Sequence, residues 1–150
     1  MRKFFLLAMM LVTLTYCDKK VDCQIPPPEF TIFINKASEV HKEFVNQAGE
    51  VDKANISLYK QKNGIKESYR IMFGFNKTQE GKEYLQIGTQ LWFDNDVYTG
   101  KTETLYLQNA TKTYKIEVDG YMEDGECGKY AVINEIRVDG TKIEVPCLIK

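Results

Sequence analysis

The chain has one histidine, one tryptophan and four prolines in 150 residues. Its only long apolar run is at the N-terminus. Each scarcity excludes something. A Ser–His–acid triad would have to use His41, which sits in the charged stretch Glu39-Val40-His41-Lys42-Glu43, where a solvent-exposed side chain is expected. No Gly-x-Ser-x-Gly, Walker-type or Gly-x-Gly-x-x-Gly pattern occurs. Carboxylates are plentiful, at 21 Asp+Glu, but nothing in the sequence selects a pair for glycosidase-type chemistry. The reading is a protein that is not an enzyme, with a hydrolase as the last alternative.

Charge and cysteine usage narrow the field further. The 20 Lys+Arg are interspersed among the 21 acids, with no basic patch, so no nucleic-acid partner is expected. Cys17, Cys23, Cys127 and Cys147 have no C-x-x-C spacing, and His41 is distant from all four, which argues against zinc. Asp94-Asn95-Asp96 could offer oxygens to Ca²⁺, but the Gly and Glu that an EF-hand requires at later offsets are missing. It reads as a polar loop, and no metal or cofactor is expected. There is no internal repeat and no low-complexity segment.

What is present begins with Met1-Arg2-Lys3, an apolar run over residues 4–12, and then Thr13-Leu14-Thr15-Tyr16-Cys17. The apolar core is shorter than the roughly 20 residues that span a bilayer. A basic start before such a core reads as a secretory signal. Leu14-Thr15-Tyr16-Cys17 resembles the lipobox of bacterial lipoproteins, departing from it at Tyr16, where a small residue is usual. The resemblance implies that residues 1–16 are a lipoprotein signal peptide and that Cys17 becomes the first mature residue and carries lipid. A palmitate-type chain contributes about 0.8 kcal/mol per buried CH₂, and more than one chain is needed for stable anchoring. The plainer alternative is an ordinary signal peptide, with Cys17 free or disulfide-bonded.

Loss of Arg2 and Lys3 with the signal leaves 18 basic against 21 acidic residues, a formal charge of −3. Three cysteines then remain for one disulfide in an oxidising compartment. Cys23, Cys127 and Cys147 are all candidates.

Residues 17–29 form a tether, polar at first and then stiffened by Pro26-Pro27-Pro28. Residues 30–150 are one domain, long enough to bury a core without staples. Phe30-Thr31-Ile32-Phe33-Ile34 is a strand. In residues 35–54, Ala37, Val40, Phe44 and Ala48 have helical spacing, with Gly49 as a stop; the alternative is a long polar loop. From Ile56 onward the period is two. Asn63-Gly64 marks a hairpin. Tyr69, Ile71, Phe73 and Phe75 form one apolar face, as do Leu85, Ile87, Leu91 and Phe93, then Leu105 and Leu107, then Tyr114, Ile116 and Val118. Asp139-Gly140 suits a two-residue turn pairing Val138 with Thr141, Ile136 with Ile143 and Val132 with Cys147.

The expected fold is all-β: a single antiparallel β-sandwich of Ig-like or transthyretin-like architecture, with about seven or eight strands and at most one short helix. The immunoglobulin Cys…Trp…Cys spacing is absent, so only the architecture is meant.

Strand alternation also selects candidate binding residues. If Leu91 and Phe93 face the core, then Trp92 faces out, and so do Tyr84 and Tyr106, while Tyr98 lies in a loop. Exposed aromatics can stack on sugar rings or anchor a protein. The alternative is that residues 35–54 cover them. Three Asn-x-Ser/Thr triplets, at Asn55, Asn76 and Asn109, would matter only in a eukaryotic secreted chain.

The whole chain resembles small lipoproteins of Bacteroidetes in its lipobox Cys17, its short Pro-ended tether and its one all-β domain. The closing stretch Cys127-Gly128-Lys129-Tyr130 and residues 134–140 before a last strand are similar to the ends of such domains. The resemblance implies a location and a fold class only. The location is the bacterial cell envelope, lipid-anchored at the outer membrane on its periplasmic or cell-surface face. The expected function is a non-enzymatic envelope lipoprotein that binds a protein or glycan partner. The alternative is a structural or assembly subunit that pairs strands by β-augmentation.

Overall fold

The structure is a computed structural model that describes residues 26–92 and 95–144 and the backbone of residues 148–149. The signal segment, Cys17, Cys23 and Cys147 lie outside the described residues. The strands are β1 (Glu29–Asn35), β2 (Ser57–Lys62), β3 (Ile65–Ser68), β4 (Met72–Lys77) and β5 (Glu83–Gln90). They continue with β6 (Thr102–Gln108), β7 (Thr113–Gly125), β8 (Gly128–Val138), β9 (Thr141–Ile143) and β10 (Leu148–Ile149). One helical turn, α1 (Glu39–Lys42), separates β1 from β2.

The strands make two sheets, in the orders β10-β1-β5-β4 and β3-β2-β6-β7-β8-β9. Pairing is antiparallel except between β1 and β10. Period-two alternation places one apolar row of each central strand inward. Ile32 lies opposite Ile87 and Ile34 opposite Leu85 in one sheet. Leu58 lies opposite Leu107, Leu105 opposite Ile116, and Val118 opposite Ile136 in the other. All are buried in one cluster shared by the two sheets. Each such side chain contributes about 1.5–3 kcal/mol on full burial. The fold is an open, all-β sandwich.

Both expected hairpin turns form. Asn63 and Gly64 have φ of 52° and 78°, and Asp139 and Gly140 have 50° and 81°. Two successive positive values are what a type I′ turn needs, and Asn-Gly and Asp-Gly meet that need at least strain. The register Val138–Thr141 and Ile136–Ile143 is also as expected. Its extension to Cys147 falls on a residue outside those described. Leu148 beside it pairs with Phe33 of the opposite sheet, so the last strand switches sheets after β9.

Among the described residues there are ten strands where seven or eight were expected, because several are very short. The apolar run from Tyr69 to Phe75 is not one strand. β3 ends at Ser68 in one sheet and β4 begins at Met72 in the other. Phe75 keeps its inward phase opposite Leu85 but lies on an edge strand and is 66% exposed. Lys36 Nζ sits 4.8 Å from its ring centre.

The helical spacing in residues 35–54 yields only α1, capped by the Ser38 side chain, which accepts from the His41 N–H. Beyond it, Asn46 Oδ1 accepts from the amides of Ala48 and Glu50. A Val45–Val51 bridge closes the loop. The Asn side chain supplies the backbone partners that a second helical turn would have supplied. Phe44 is fully buried and stacks on Tyr114 at 5.9 Å.

β7 and β8 are the longest strands and continue past their neighbours as a two-stranded arm. The register shifts between Asp119 and Gly120. A Cβ on Gly120 would lie 2.8 Å from the Val132 carbonyl oxygen and 2.9 Å from the Tyr98 ring. Cys127, in the turn of the arm, is disulfide-bonded. Gly120→Ala is expected to destabilise the protein by about 1–3 kcal/mol, the cost of overpacking. Urea denaturation should show a lower midpoint with an unchanged slope.

Candidate functional site

Alternation along β2 and β6 carries two charges into the sandwich. Lys60 shares the inward phase of Leu58, and Glu103 that of Leu105 and Leu107. Lys60 is 6% exposed. Its Nζ donates to Glu103 Oε2 at 2.7 Å and to the Asp96 carbonyl oxygen at 2.6 Å. Thr99 Oγ1 donates to the other Glu103 oxygen at 2.7 Å. A buried charge is tolerated only when paired and hydrogen-bonded, and here both conditions are met. Burial raises the Glu103 carboxyl, but the hydrogen bonds from Lys60 and Thr99 outweigh it and hold it below its ordinary value.

The same network positions the loop before β6. Asn95 Oδ1 accepts from the Tyr98 amide at 2.9 Å. Asp96 Oδ1 accepts from the Tyr69 hydroxyl at 2.7 Å, while its Oδ2 lies 3.6 Å from Lys62 Nζ and 3.7 Å from Lys60 Nζ. Burial, and then the Asp96 bond, push the Tyr69 phenol well above its ordinary value, so it stays a donor. Lys62 also pairs with Glu67 at 2.9 Å.

Lys62, Glu67, Tyr69, Asp96, Gln90 and Trp92 line an open cleft of about 330 Å³, with Ser68 and Leu91. Trp92 is 63% exposed. Its Nε1 donates to Gln90 Oε1 at 2.8 Å, and Gln90 Nε2 donates to Glu29 Oε1 at 2.9 Å. The indole edge is thus held by a hydrogen bond on a side chain that stays largely exposed. The Leu91 amide donates to the Pro28 carbonyl, so the cleft lies at the end of the sandwich where β1 begins.

The four aromatics expected to be exposed do not form one platform. Trp92 alone is exposed as expected. Tyr84 keeps its outward phase yet is 8% exposed, in line with Asn35 and Asn76 on the flanking strands. Tyr98 is 3% exposed, because its hydroxyl reaches back to the Glu29 carbonyl at 2.7 Å and clamps the loop onto β1. Tyr106 is half-buried and stacks on Tyr59 at 5.3 Å, with Lys66 Nζ over the Tyr59 ring. Alternation reports which face a side chain leaves from, not what else covers that face.

Lys60, Glu103, Lys62, Glu67 and Tyr69 were absent from the sequence-based candidates. The legible signal was a charged residue at an inward position of an otherwise apolar alternation, at Lys60 and at Glu103. Asp94 of the acidic triplet lies outside the described residues. Asn95 Oδ1 accepts from the Tyr98 amide and Asp96 Oδ1 from the Tyr69 hydroxyl. Among the described residues no group of three His, Cys, Asp or Glu could hold a metal ion.

His41 differs from its expected exposure. It is half-buried, and its Nε2 is buried without a hydrogen-bond partner among the described residues. Burial, and then the charge of Lys36, push it below its ordinary value. No family model matches this chain, and neither a curated protein nor a solved structure matches it.

The two shifts give separable pH windows. His41 resists the proton in the folded state. Stability is therefore full above the unfolded pKa of about 6.5 and falls as pH drops below it. Glu103 resists protonation when folded. Its contribution is present above about 4.3 and is lost as pH falls through its lower folded value. Denaturation midpoints measured from pH 8 to 3 should fall in two steps. His41→Leu should remove the first step, and Glu103→Gln should weaken the second.

Proposed function

We propose that this protein is a lipid-anchored protein of the bacterial envelope whose sandwich is a non-enzymatic binding module for a glycan. The observation that carries the binding reading is Trp92. It is a large exposed indole, fixed at its edge by Gln90, beside a cleft rimmed by Lys62, Glu67 and Asp96. A sugar presents an apolar C–H face and a ring of hydroxyls, and this pairing of aromatic face and polar rim suits both. The two acids of the cleft are each matched to a lysine, an arrangement for hydrogen bonding a polyol. The anchor rests on the basic start, the apolar core and the Leu14-to-Cys17 lipobox.

A second reading, assembly by strand pairing, is favoured by one feature. β9 pairs only with residues Ile136, Arg137 and Val138 of β8. The rest of β8, beginning at Gly128, has no outer strand among the described residues. An uncovered edge of that length is a template for another strand.

The test is paired substitution in cells. Cys17→Ala is expected to leave the membrane fraction. Trp92→Ala should stay membrane-bound while its retention on envelope or extracellular polysaccharide falls at least about tenfold, as for a binding hot spot. If Cys17→Ala stays with the membrane, the anchor reading fails. If Trp92→Ala binds as the parent does, the glycan reading fails. Concentration-dependent dimerisation by light scattering, without glycan retention, would move the assignment to assembly.

A further inference from the structure

Building on that reading of the cleft, we infer that it selects uncharged pyranose sugars and discriminates against both acidic and amino sugars. The reason lies in how its charges are already matched. Among the described residues that line it, Lys62, Glu67 and Asp96 carry charge. Lys62 pairs with Glu67 at 2.9 Å and with Asp96 at 3.6 Å. Asp96 also accepts the Tyr69 hydroxyl and has Lys60 at 3.7 Å behind it. A uronic or sialic carboxylate entering here would meet a lysine already shared by two acids. An ammonium would meet carboxylates already holding lysines. Either ionic ligand would give up hydration without gaining a free counter-charge among the described residues.

A neutral hydroxyl is in a different position. It both donates and accepts, so it can insert beside an existing pair without breaking it. Lys62 has three N–H donors, and each carboxylate has about four lone-pair sites. One hydroxyl can therefore take a proton bond from the Lys62 ammonium while its neighbour on the ring gives one to Glu67 or Asp96. Gln90 and Ser68 add neutral groups to the same rim. Trp92 supplies the stacking surface. A cleft of about 330 Å³ is at the small end of ligand sites, which suits one or two sugar rings rather than a long chain section.

The experiment is affinity electrophoresis of the mature protein at about 0.15 M salt, where diffuse attraction is screened within about 8 Å. The gels contain amylose, galactomannan or xylan as neutral probes, polygalacturonate as the acidic probe, or chitosan as the amino probe. The parent protein is expected to be retarded by at least one neutral probe at least tenfold more strongly than by either charged one, and Trp92→Ala should abolish that retardation. Glu67→Gln removes one partner of Lys62 at an exposed site and should raise retardation by polygalacturonate several-fold. Trp92-dependent retardation that is strongest with polygalacturonate or chitosan overturns the selectivity and leaves the glycan reading standing. Absence of Trp92-dependent retardation by every probe overturns both.

Discussion

A buried ammonium holds one end of this sandwich together. Lys60 Nζ lies between the Glu103 carboxylate and the Asp96 carbonyl oxygen, where an apolar side chain would otherwise continue the core. Taking a lysine out of water costs several kcal/mol unless its protons find partners, so the strand carrying Lys60 can be buried only with Glu103 and the Asp96 loop in place. That requirement couples β2, β6 and the loop before β6. The loop in turn is clamped by Tyr98 onto the start of β1. Removing one partner would strand a charge. Replacing the group by an apolar cluster would keep the burial but lose the loop position.

The cleft follows from this constraint. Asp96 is held from behind by Lys60 and from the side by Tyr69, so its remaining oxygen surface turns toward Lys62 and the opening. Trp92 arrives from the other sheet, just beyond β5, and is fixed through Gln90 to Glu29 at the head of β1. The site is thus assembled where the two sheets meet at one end, from side chains whose positions are set by packing and hydrogen bonds. Such support is what gives a small open site a defined shape before any ligand arrives.

Tyr98 and Gly120 show how closely the parts are fitted. The arm of β7 and β8 begins at a register shift, and the Tyr98 ring occupies the space where a side chain on residue 120 would lie. The arm therefore starts against the same loop that carries Asp96. Along the arm, Met122, Ala131 and Ile133 pack on the core cluster, while Tyr121 and Tyr130 stay exposed.

Much of this was legible in the sequence, for a physical reason. Period-two alternation and the Asn-Gly and Asp-Gly turns are local, because backbone sterics and side-chain phase act over two to four residues. They determined an all-β sandwich, the inward rows of β5, β6 and β7, two hairpin turns and the register around Asp139-Gly140. They also pointed to Trp92, just beyond β5, as exposed. Only the tertiary structure decided the rest. Whether Tyr84, Tyr98 and Tyr106 stay exposed depends on what packs over them, and those partners come from elsewhere in the chain. Whether Phe75 is core depends on how far the opposite sheet extends. The site residues Lys60, Glu103, Tyr69 and Asp96 are brought together across separations of 27 to 43 residues. No local rule chooses among 20 basic and 21 acidic residues which will meet, because pairing is settled by the global register that buries them.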